Sequence, residues 1–546
     1  MKRAFLYMAL CLLMVCSCRP SVKHFSAIID VPEVPVLALN QTNKTAQIDL
    51  VHHEATSYIV KSVMLLLKGT ENLSDITKVS FFQKDKEVAS KVLTIGKSRF
   101  LVSVDLNLAV SADTLTLDIY LSLKDTIALS NKIHIEEVRL NTSEGRIIVT
   151  PGSPAILRVG LALRQKMQDG VHTSRIPGLT TTTKGTLIAL YDVRWERERD
   201  LQGDIDLCIN RSSDGGRTWS PMQRVLDMGN WGRLPERYNG VSDGCILVDK
   251  NTGDLYVAGL WMHGVLDPEN GKWVKNLSEI STEWNHQWKS FGSQPGYDVK
   301  QSSQFLITKS IDDGLTWSDP INITHQVKPE HWWLMAPAPG HGITLENGTL
   351  VFPAEGRTET GLQISTIVFS NDGGKTWQSC NPAYTNTNEC MAVQLSDGSI
   401  MLNMRERSNR GRLEDNGRAV SVTKDMGTTW TEHPTSRNAL IEPACMASLH
   451  KHTYINNMGE KQTLLFFFNP NSKTTRHNFT LKCSLDDGQT WPRELWILMD
   501  QNEGYGYSCI TSIDNDTIGI LYEGSGADMV FQTIEVEEIL KKYEKK

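Results

Sequence analysis

An eight-residue pattern, S/T-x-D-x-G-x-T-W, recurs along the chain and constrains its fold more than any other feature. The recurrences are close copies, and they begin at Ser212, Ser310, Ser370, Thr423 and Ser484. The starts lie 53 to 61 residues apart, except for one interval of 98 residues. A repeat of this length with short β runs in each unit is typical of the blades of a β-propeller.

The residue types of the pattern explain what it does locally. The Asp carboxylate accepts N–H groups of its own turn, the Gly allows a positive φ, and the Trp packs against the blade. The pattern therefore predicts a closed hairpin and specifies architecture, not chemistry. Five such units, with one more formed by the residues after Trp491, predict six blades. The long interval contains a Trp-rich insertion, Trp261–Gly296, which we expect to be a loop over the rim, either a functional lid or a decoration.

The residues before the repeats show a different sequence pattern. Stretches such as "RFLVSVDLNL" (Arg99–Leu108) and "TLTLDIYLSL" (Thr114–Leu123) alternate apolar and polar residues, which indicates half-buried antiparallel strands. We predict an all-β protein, with a β-sandwich over 22–150 and a six-bladed propeller over 155–542, divided near Thr150–Pro154. The sandwich is predicted either to bind carbohydrate or to act as a spacer.

The first eighteen residues are predicted to be an export signal. Lys2 and Arg3 precede an apolar run, Ala4–Cys16, that is too short to span a bilayer. The run ends in "VCSC", which resembles a bacterial lipoprotein cleavage site with Cys18 as the lipidated residue. Lipidation at Cys18 and plain secretion both stay open. We expect an exported protein that is periplasmic, associated with the outer membrane as a lipoprotein, or secreted.

The composition and charge of the chain indicate which classes of partner it can bind. The formal net charge is -7 and the pI is about 6.1, so the chain lacks the basic footprint of a nucleic-acid-binding protein. The seven cysteines beyond the signal are scattered without metal-ligand spacing. The sequence therefore implies no nucleic acid, no metal and no cofactor. Any bound anion must be held by local arginines.

Several segments, in order along 157–540, resemble the catalytic domain of bacterial exo-sialidases, which are six-bladed Asp-box propellers. The matching segments are "SRIPGL" (Ser174–Leu179), Gly185–Leu207, "GVSDGCILVD" (Gly240–Asp249), "NECMAVQLSDGSIMLNMRER" (Asn388–Arg407), Asn469–Trp491 and "GYGYSCIT" (Gly504–Thr511). This resemblance implies the fold, the activity and a set of site residues. It also implies sialylated glycans as the partners.

Sialic acid bears a carboxylate on its anomeric carbon, so a binding pocket needs several guanidinium groups around one anion. The resemblance assigns this role to Arg175, Arg405 and Arg476. Arg194 is implied as an accessory arginine, and Asp243 as a contact to the N-acetyl or 4-hydroxyl side of the sugar.

The same carboxylate makes a neutral phenol a better nucleophile than Asp or Glu. The resemblance implies Tyr507 as the nucleophile, Glu389 as its base and Asp200 as the acid/base. Glu523 is implied as the carboxylate that orients Arg175. Competing residues lie close in sequence: Tyr505 beside Tyr507, and Asp204 and Asp206 beside Asp200, whereas we assign Asp192 to a strand.

The implied activity is that of a retaining exo-α-sialidase with a covalent sialyl-tyrosine intermediate. A trans-sialidase, or an intramolecular trans-sialidase that makes an anhydro product, would share the same residues. A non-catalytic sialic-acid-binding propeller is the alternative from another class, and it would keep the repeats but lack the set Tyr507, Glu389 and Asp200.

Overall fold

The structure is a computed structural model that describes residues 24–54, 57–70, 73–94, 96–111, 113–201, 203–229, 236, 239–263, 293–299 and 302–544. The predicted signal with Cys18 and most of the Trp-rich insertion lie outside these residues. The contacts divide the described chain into two compact units. The first comprises 24–31, 44–121 and 133–155, and the second comprises 32–43, 122–132 and 156–544.

The first unit contains two antiparallel β-sheets. Period-two alternation gives each long strand one buried face: in Thr114–Leu123 every second side chain, from Leu115 to Leu123, is buried. One sheet contains Phe25–Asp30, Asn43–His52, Thr114–Leu123, Ile76–Gln83 and Lys86–Val92. The other contains Tyr58–Gly69, Arg99–Val110, Lys132–Thr142 and Arg146–Val149, and a short 3-10 helix covers Leu73–Asp75. The all-β sandwich predicted for this region is confirmed.

The second unit is built of consecutive antiparallel β-units, which we call blades 1 to 6. Blade 1 contains Thr173–Thr181, Leu187–Arg194, Ile205–Ser212 and Gln223–Leu226; blade 2 contains Asn239–Val248, Leu255–His263, Gln304–Ser310 and Ile321–Asn322. Blade 3 contains Leu334–Pro337, Ile343–Thr344, Leu350–Arg357, Gln363–Ser370, Gln378–Ser379 and Tyr384–Thr385. The pair Gly340–His341 joins the inner strand of blade 2 in parallel.

Blade 4 contains Thr387–Gln394, Ile400–Glu406, Ala419–Thr423 and Thr431–Glu432; blade 5 contains Ser448–Ile455, Lys461–Pro470, Phe479–Ser484 and Ile497–Asp500. Blade 6 contains Ser508–Ser512, Thr517–Tyr522 and Met529–Glu535, and its outer strand is Leu157–Arg164. Val36–Ala38 pairs with that outer strand in parallel. The short helices are Gln168–Gly170, Thr324–Val327, Arg407–Asn409, Arg493–Leu495 and Val536–Glu544.

The last blade is assembled differently from the sequence prediction, although the predicted six-bladed propeller is confirmed. The residues directly after Trp491 complete blade 5, because Ile497–Asp500 pairs with Phe479–Ser484. Blade 6 takes its fourth strand from Leu157–Arg164, whose eight residues are all buried. Joining the start of the propeller to its end in one sheet leaves the ring no open β-edge at that point.

The repeated boxes close hairpins in blades 1 to 5, as predicted. In blade 1 the Asp214 carboxylate accepts hydrogen bonds from Thr218 N at 2.9 Å and Thr218 Oγ1 at 2.7 Å. Gly216 has a φ of 88°, and a Cβ there would lie 2.2 Å from the Phe531 ring, so the position requires glycine. The Trp219 ring packs edge-on against Phe531, with centroids 5.1 Å apart.

Large apolar side chains fill the spaces between neighbouring blades. Phe305 of blade 2 and Phe352 and Trp377 of blade 3 belong to one buried cluster, and Phe468 and Tyr522 join blades 5 and 6 in another. None of the helices in the described ranges is long and apolar enough to cross a membrane.

Candidate active site

A polar cavity of about 360 Å³ opens where the inner strands of the blades meet. Its volume falls in the range of small-molecule sites. All eight residues that sequence analysis proposed for catalysis and substrate binding line this cavity: Arg175, Arg194, Asp200, Asp243, Glu389, Arg405, Arg476 and Tyr507. Residues far apart in the chain are therefore brought to one place.

Irregular backbone geometry directs several of these side chains into the cavity. The pairing of the first two strands shifts register beside Arg175 in blade 1, beside Asp243 in blade 2 and beside Glu389 in blade 4. Ile176 and Asp243 also have positive φ values of 62° and 58°. Bulges bend a strand and redirect its side chains, and positive φ in a branched residue such as Ile176 is strained. The fold thus accepts local strain where side chains turn into the cavity.

Tyr507 lies at the centre of the site, just before the first strand of blade 6. Its hydroxyl donates a short hydrogen bond to Glu389 Oε1 and lies 3.0 Å from Arg405 Nη1. Arg405 Nη1 also contacts Glu389 Oε2 at 2.5 Å. Burial, with the nearby Glu389 charge, raises the pKa of Tyr507 well above its usual value. The phenol is therefore neutral, and it has a carboxylate placed to accept its proton.

The neighbouring tyrosine has a different environment. Tyr505 is 37% exposed, and its hydroxyl donates to Glu198 Oε2 at 2.9 Å. The Arg175 guanidinium stacks on the Tyr505 ring, 4.3 Å from the centroid. Tyr505 does not line the cavity, so of the two candidates only Tyr507 is joined to Glu389.

Glu523 ties Arg175 to the backbone of Tyr507. Its carboxylate is completely buried and accepts hydrogen bonds from Arg175 Nε at 2.5 Å and Nη2 at 3.2 Å. It also accepts from Ile176 N at 2.8 Å and Tyr507 N at 3.0 Å. Burial alone would raise the pKa of Glu523, but Arg175, together with the backbone N–H groups of Ile176 and Tyr507, more than offsets this and lowers it. The predicted orienting contact between Glu523 and Arg175 is present in the structure.

Three guanidinium groups surround the Tyr507 side chain. Arg175 and Arg476 each place their central carbon 5.6 Å from the ring centroid, and Arg405 contacts the hydroxyl. Arg476 is fixed by a 2.5 Å hydrogen bond to Tyr505 O. Burial opposes the charge of Arg405, yet Glu389 keeps its pKa well above the usual value. Three fixed positive charges around one point form a site for an anion.

Arg194 organises the part of the cavity that blade 1 contributes. It is buried and contacts Asp200 Oδ1 at 2.8 Å and Asp192 Oδ2 at 3.0 Å. Asp192 lies within the strand Leu187–Arg194, and burial raises its pKa to about 7 against the opposing effect of Arg194. The Asp200 side chain is 67% exposed, which places its carboxylate at the mouth of the cavity.

The two other aspartates near Asp200 do not line the cavity. Asp206 accepts a 2.8 Å hydrogen bond from Trp195 Nε1 and pairs with Arg224 at 3.3 Å. Burial, with Asp227 nearby, raises the pKa of Asp206 to about 8. Burial likewise raises the pKa of Asp204 to about 7. Of the three candidates in this segment, Asp200 alone reaches the cavity.

Asp243 is a buried carboxyl group in the cavity wall. Burial and the charges of Asp200 and Asp192 raise its pKa well above the usual value. The raised pKa favours the protonated form of the Asp243 carboxyl group, which can both donate and accept hydrogen bonds.

A polar wall formed by blades 3 and 4 was not among the site residues predicted from the sequence. It contains Glu355, Arg357, Gln363, Asn388 and Arg407. Arg407 lies two residues after Arg405, so the period of a strand could have indicated a shared direction. No box or motif marks Glu355 and Arg357. No cluster of three or more metal-ligating side chains occurs in the part of the chain that the structure describes.

The chain is similar to a known domain family, to two sialidase sequences and to one solved sialidase structure. Residues 280–521 match the profile of the BNR repeat-like domain. The chain is 42% identical to a sialidase of Bacteroides fragilis over 78% of its own length and 73% of the relative. It is 31% identical to a sialidase of Micromonospora viridifaciens, over 69% of this chain and about half (53%) of that longer relative. Among solved structures, Hadza microbial sialidase Hz136 superposes with a TM-score of 0.81 at 31% identity, covering 93% of this chain and 99% of that one.

Proposed function

The chain belongs to the sialidase family of glycosidases, and from that premise we propose that it is a retaining exo-α-sialidase acting through a covalent sialyl-tyrosine. Its substrates would be glycans that end in α-linked sialic acid. The observation that carries the proposal is the buried Tyr507 phenol, hydrogen-bonded to Glu389 and surrounded by three guanidinium groups.

The guanidinium groups account for binding of the substrate carboxylate. Arg175, Arg405 and Arg476 come from blades 1, 4 and 5, and their positive charges converge on the side chain of Tyr507. A carboxylate held among them places the anomeric carbon next to the Tyr507 oxygen. Charge-assisted hydrogen bonds of this kind are both strong and directional.

Tyr507 then attacks the anomeric carbon while its proton passes to Glu389. A free phenol with its pKa above 10 is a poor nucleophile, and the hydrogen bond to Glu389 supplies the base that it needs. The neutral phenol also avoids the repulsion that an attacking carboxylate would meet from the substrate carboxylate. The positive charge of Arg405 beside the Tyr507 oxygen stabilises developing phenolate character.

Asp200 completes the cycle as the acid/base. In the first step it donates a proton to the glycosidic oxygen, and the glycan leaves as an alcohol. In the second step the Asp200 carboxylate takes a proton from water, the water attacks the anomeric carbon, and Tyr507 recovers its proton from Glu389. The position of Asp200 at the mouth of the cavity suits both steps, because the leaving glycan and the incoming water pass there.

A fluorinated substrate analogue tests this mechanism. In 2,3-difluorosialic acid the 2-fluoride is a leaving group, and the 3-fluorine slows hydrolysis of the glycosyl-enzyme. We expect the purified protein to gain the mass of one fluorosialyl group, and peptide mapping to place it on Tyr507. The Tyr507→Phe variant should remain unlabelled, and Tyr505→Phe serves as the matched control that should label normally. Labelling at another residue would overturn the assignment.

We also propose that the protein is exported, either tethered to a membrane through a lipidated Cys18 or secreted after cleavage of a plain signal. An exported enzyme would meet sialylated glycans outside the cytoplasm.

A further inference from the structure

Glu198 is a carboxylate at the mouth of the cavity that the proposed mechanism does not use. It lies two residues before Asp200, in the irregular segment that follows the strand Leu187–Arg194, and both residues line the cavity. The Asp200 side chain is exposed, and Arg194 is the one hydrogen-bond partner of its carboxylate among the residues that the structure describes. The position of Asp200 therefore depends on how this segment is held.

The residues Glu198–Leu201, which we call the acid/base segment, are anchored at both ends. The Glu198 backbone oxygen accepts a hydrogen bond from Arg194 Nη1 at 2.7 Å. At the other end the Leu201 side chain is buried in an apolar cluster with residues of blades 2 and 3, which are Leu260, Met262, Leu334 and Ala336. These anchors fix the ends of the segment to blades 1 to 3.

A third anchor comes from Tyr505, beside blade 6. The Tyr505 hydroxyl donates a hydrogen bond to Glu198 Oε2 at 2.9 Å. Tyr505 is itself held in place, because its ring stacks on Arg175 and its backbone oxygen accepts a 2.5 Å hydrogen bond from Arg476. Burial and the Glu198 carboxylate raise the pKa of Tyr505, so the hydroxyl keeps the proton that it donates.

The hydrogen bond between Glu198 and Tyr505 thus joins the acid/base segment to two of the arginines proposed to hold the substrate carboxylate. A general acid must lie within hydrogen-bond reach of the oxygen that it protonates. Small displacements of a reacting group are costly to the rate. An exposed loop residue such as Asp200 needs such support from its neighbours.

We propose that Glu198 is a positioning residue, which latches the acid/base segment to Tyr505 and so keeps Asp200 at the leaving-group oxygen. This inference rests on the proposed function. The two partners of the latch lie 307 residues apart in the chain, so no local sequence pattern indicates it.

Two variants remove the latch from opposite sides. Glu198→Ala removes the acceptor, and Tyr505→Phe removes only the hydroxyl, since the ring and the backbone oxygen remain for Arg175 and Arg476. For each variant we expect kcat/KM for sialyllactose to fall about fivefold, the equivalent of about 1 kcal/mol for one net hydrogen bond. The kcat/KM for 4-methylumbelliferyl sialoside should change by less than about twofold, because its leaving group needs little protonation.

The double variant distinguishes the latch from a direct contact between Glu198 and the substrate. If Glu198 acts through Tyr505, the double variant should lose no more activity on sialyllactose than either single variant. Independent roles would instead multiply to a loss of about 25-fold. Glu198→Gln should keep nearly wild-type activity, because its amide oxygen can accept the Tyr505 hydrogen bond.

Glu196→Ala is the matched control. Glu196 lies in the same irregular segment, its side chain is 50% exposed and pairs with Arg197 at 3.2 Å, and it does not line the cavity. Its ratio of the two kcat/KM values should equal that of the wild type. All of these side chains are exposed, so the melting temperatures of the variants should stay close to that of the wild type.

Labelling by 2,3-difluorosialic acid provides a second readout. Its 2-fluoride needs little protonation to leave, so Glu198→Ala and Tyr505→Phe should both still label at Tyr507. A structural collapse of the cavity would abolish labelling, whereas displacement of Asp200 alone would not.

The outcomes separate the two proposals. Hydrolysis of neither substrate by the wild type would refute the proposed function. Unchanged kcat/KM for sialyllactose in the single variants, equal losses on both substrates, or multiplying losses in the double variant would leave the function intact and refute the latch.

Discussion

Replacing Glu523 with glutamine should damage both stability and activity, although the two side chains have almost the same shape. Four donors face the Glu523 carboxylate: Arg175 Nε and Ile176 N at one oxygen, and Arg175 Nη2 and Tyr507 N at the other. A carboxylate can accept all four hydrogen bonds. An amide has one accepting oxygen, and its NH₂ group would point at two donors whichever way it is rotated.

The size of the effect follows from these contacts. Two charge-assisted hydrogen bonds are lost, each worth about 1.5–3 kcal/mol, and the buried Arg175 loses its counterion. We expect the free energy of unfolding to fall by about 3 kcal/mol. We also expect kcat/KM to fall on the order of a hundredfold, because Arg175 and the Tyr507 backbone lose their common anchor.

Urea unfolding and hydrolysis of 4-methylumbelliferyl sialoside measure the two effects. Asp528→Asn is the control, since Asp528 accepts a single backbone hydrogen bond, from Ser174 N at 2.9 Å, which an amide oxygen can retain. The pKa of Glu523 is lowered in the folded protein, so its contribution is present above its ordinary pKa, near 4.3, and is lost as the pH falls further. The difference between wild type and Glu523→Gln should therefore shrink in acid. A variant with wild-type stability and activity at neutral pH would refute the reasoning.

Two other predictions concern the acid/base and acid stability. Asp200→Ala should lower kcat/KM on the order of 10²-fold or more for sialyllactose. The loss should be much smaller for 4-methylumbelliferyl sialoside, because its leaving group needs little protonation. Asp206→Asn is the control and should show no such difference between the two substrates. Equal losses on both substrates would contradict the role of Asp200. The buried His341, whose ring contacts His450 Nδ1 at 3.2 Å, has its pKa lowered by burial to about 4. Its neutral form therefore contributes stability above pH 6.5 that is lost as the pH falls toward 4, up to about 3 kcal/mol. Urea unfolding should measure this loss. The free energies of unfolding at pH 7.5 and pH 5 should differ less in His341→Asn than in the wild type.

The sequence predicted those features that are encoded locally. The box residues determine their own turns, since Asp214 and Thr218 are bonded within a few positions, and strict alternation identified the strands of the first unit. The site residues could be proposed because each lies within a recognisable segment. The structure then separated neighbours that the sequence left open, such as Tyr505 from Tyr507, since only Tyr507 is joined to Glu389.

Features that depend on pairing between strands far apart in the chain could not be predicted from the sequence. Leu157–Arg164 pairs with Met529–Glu535, and no local pattern indicates that partner. Glu355 lies in an ordinary blade strand, and its place in the cavity wall follows only from which strands surround the cavity. Local chemistry can be inferred from residue types, whereas a cavity wall is created by the ring of blades.

The anomeric form of the first product tests the central claim most directly. Purified protein would be mixed with sialyllactose, and proton NMR would follow the earliest free sialic acid, with Tyr507→Phe run in parallel. The account predicts that the α-anomer is released first and converts to the β-anomer later, and that turnover is severely reduced in the variant. Early release of the β-anomer, or an anhydro product without free sialic acid, would contradict a retaining hydrolase that acts through Tyr507.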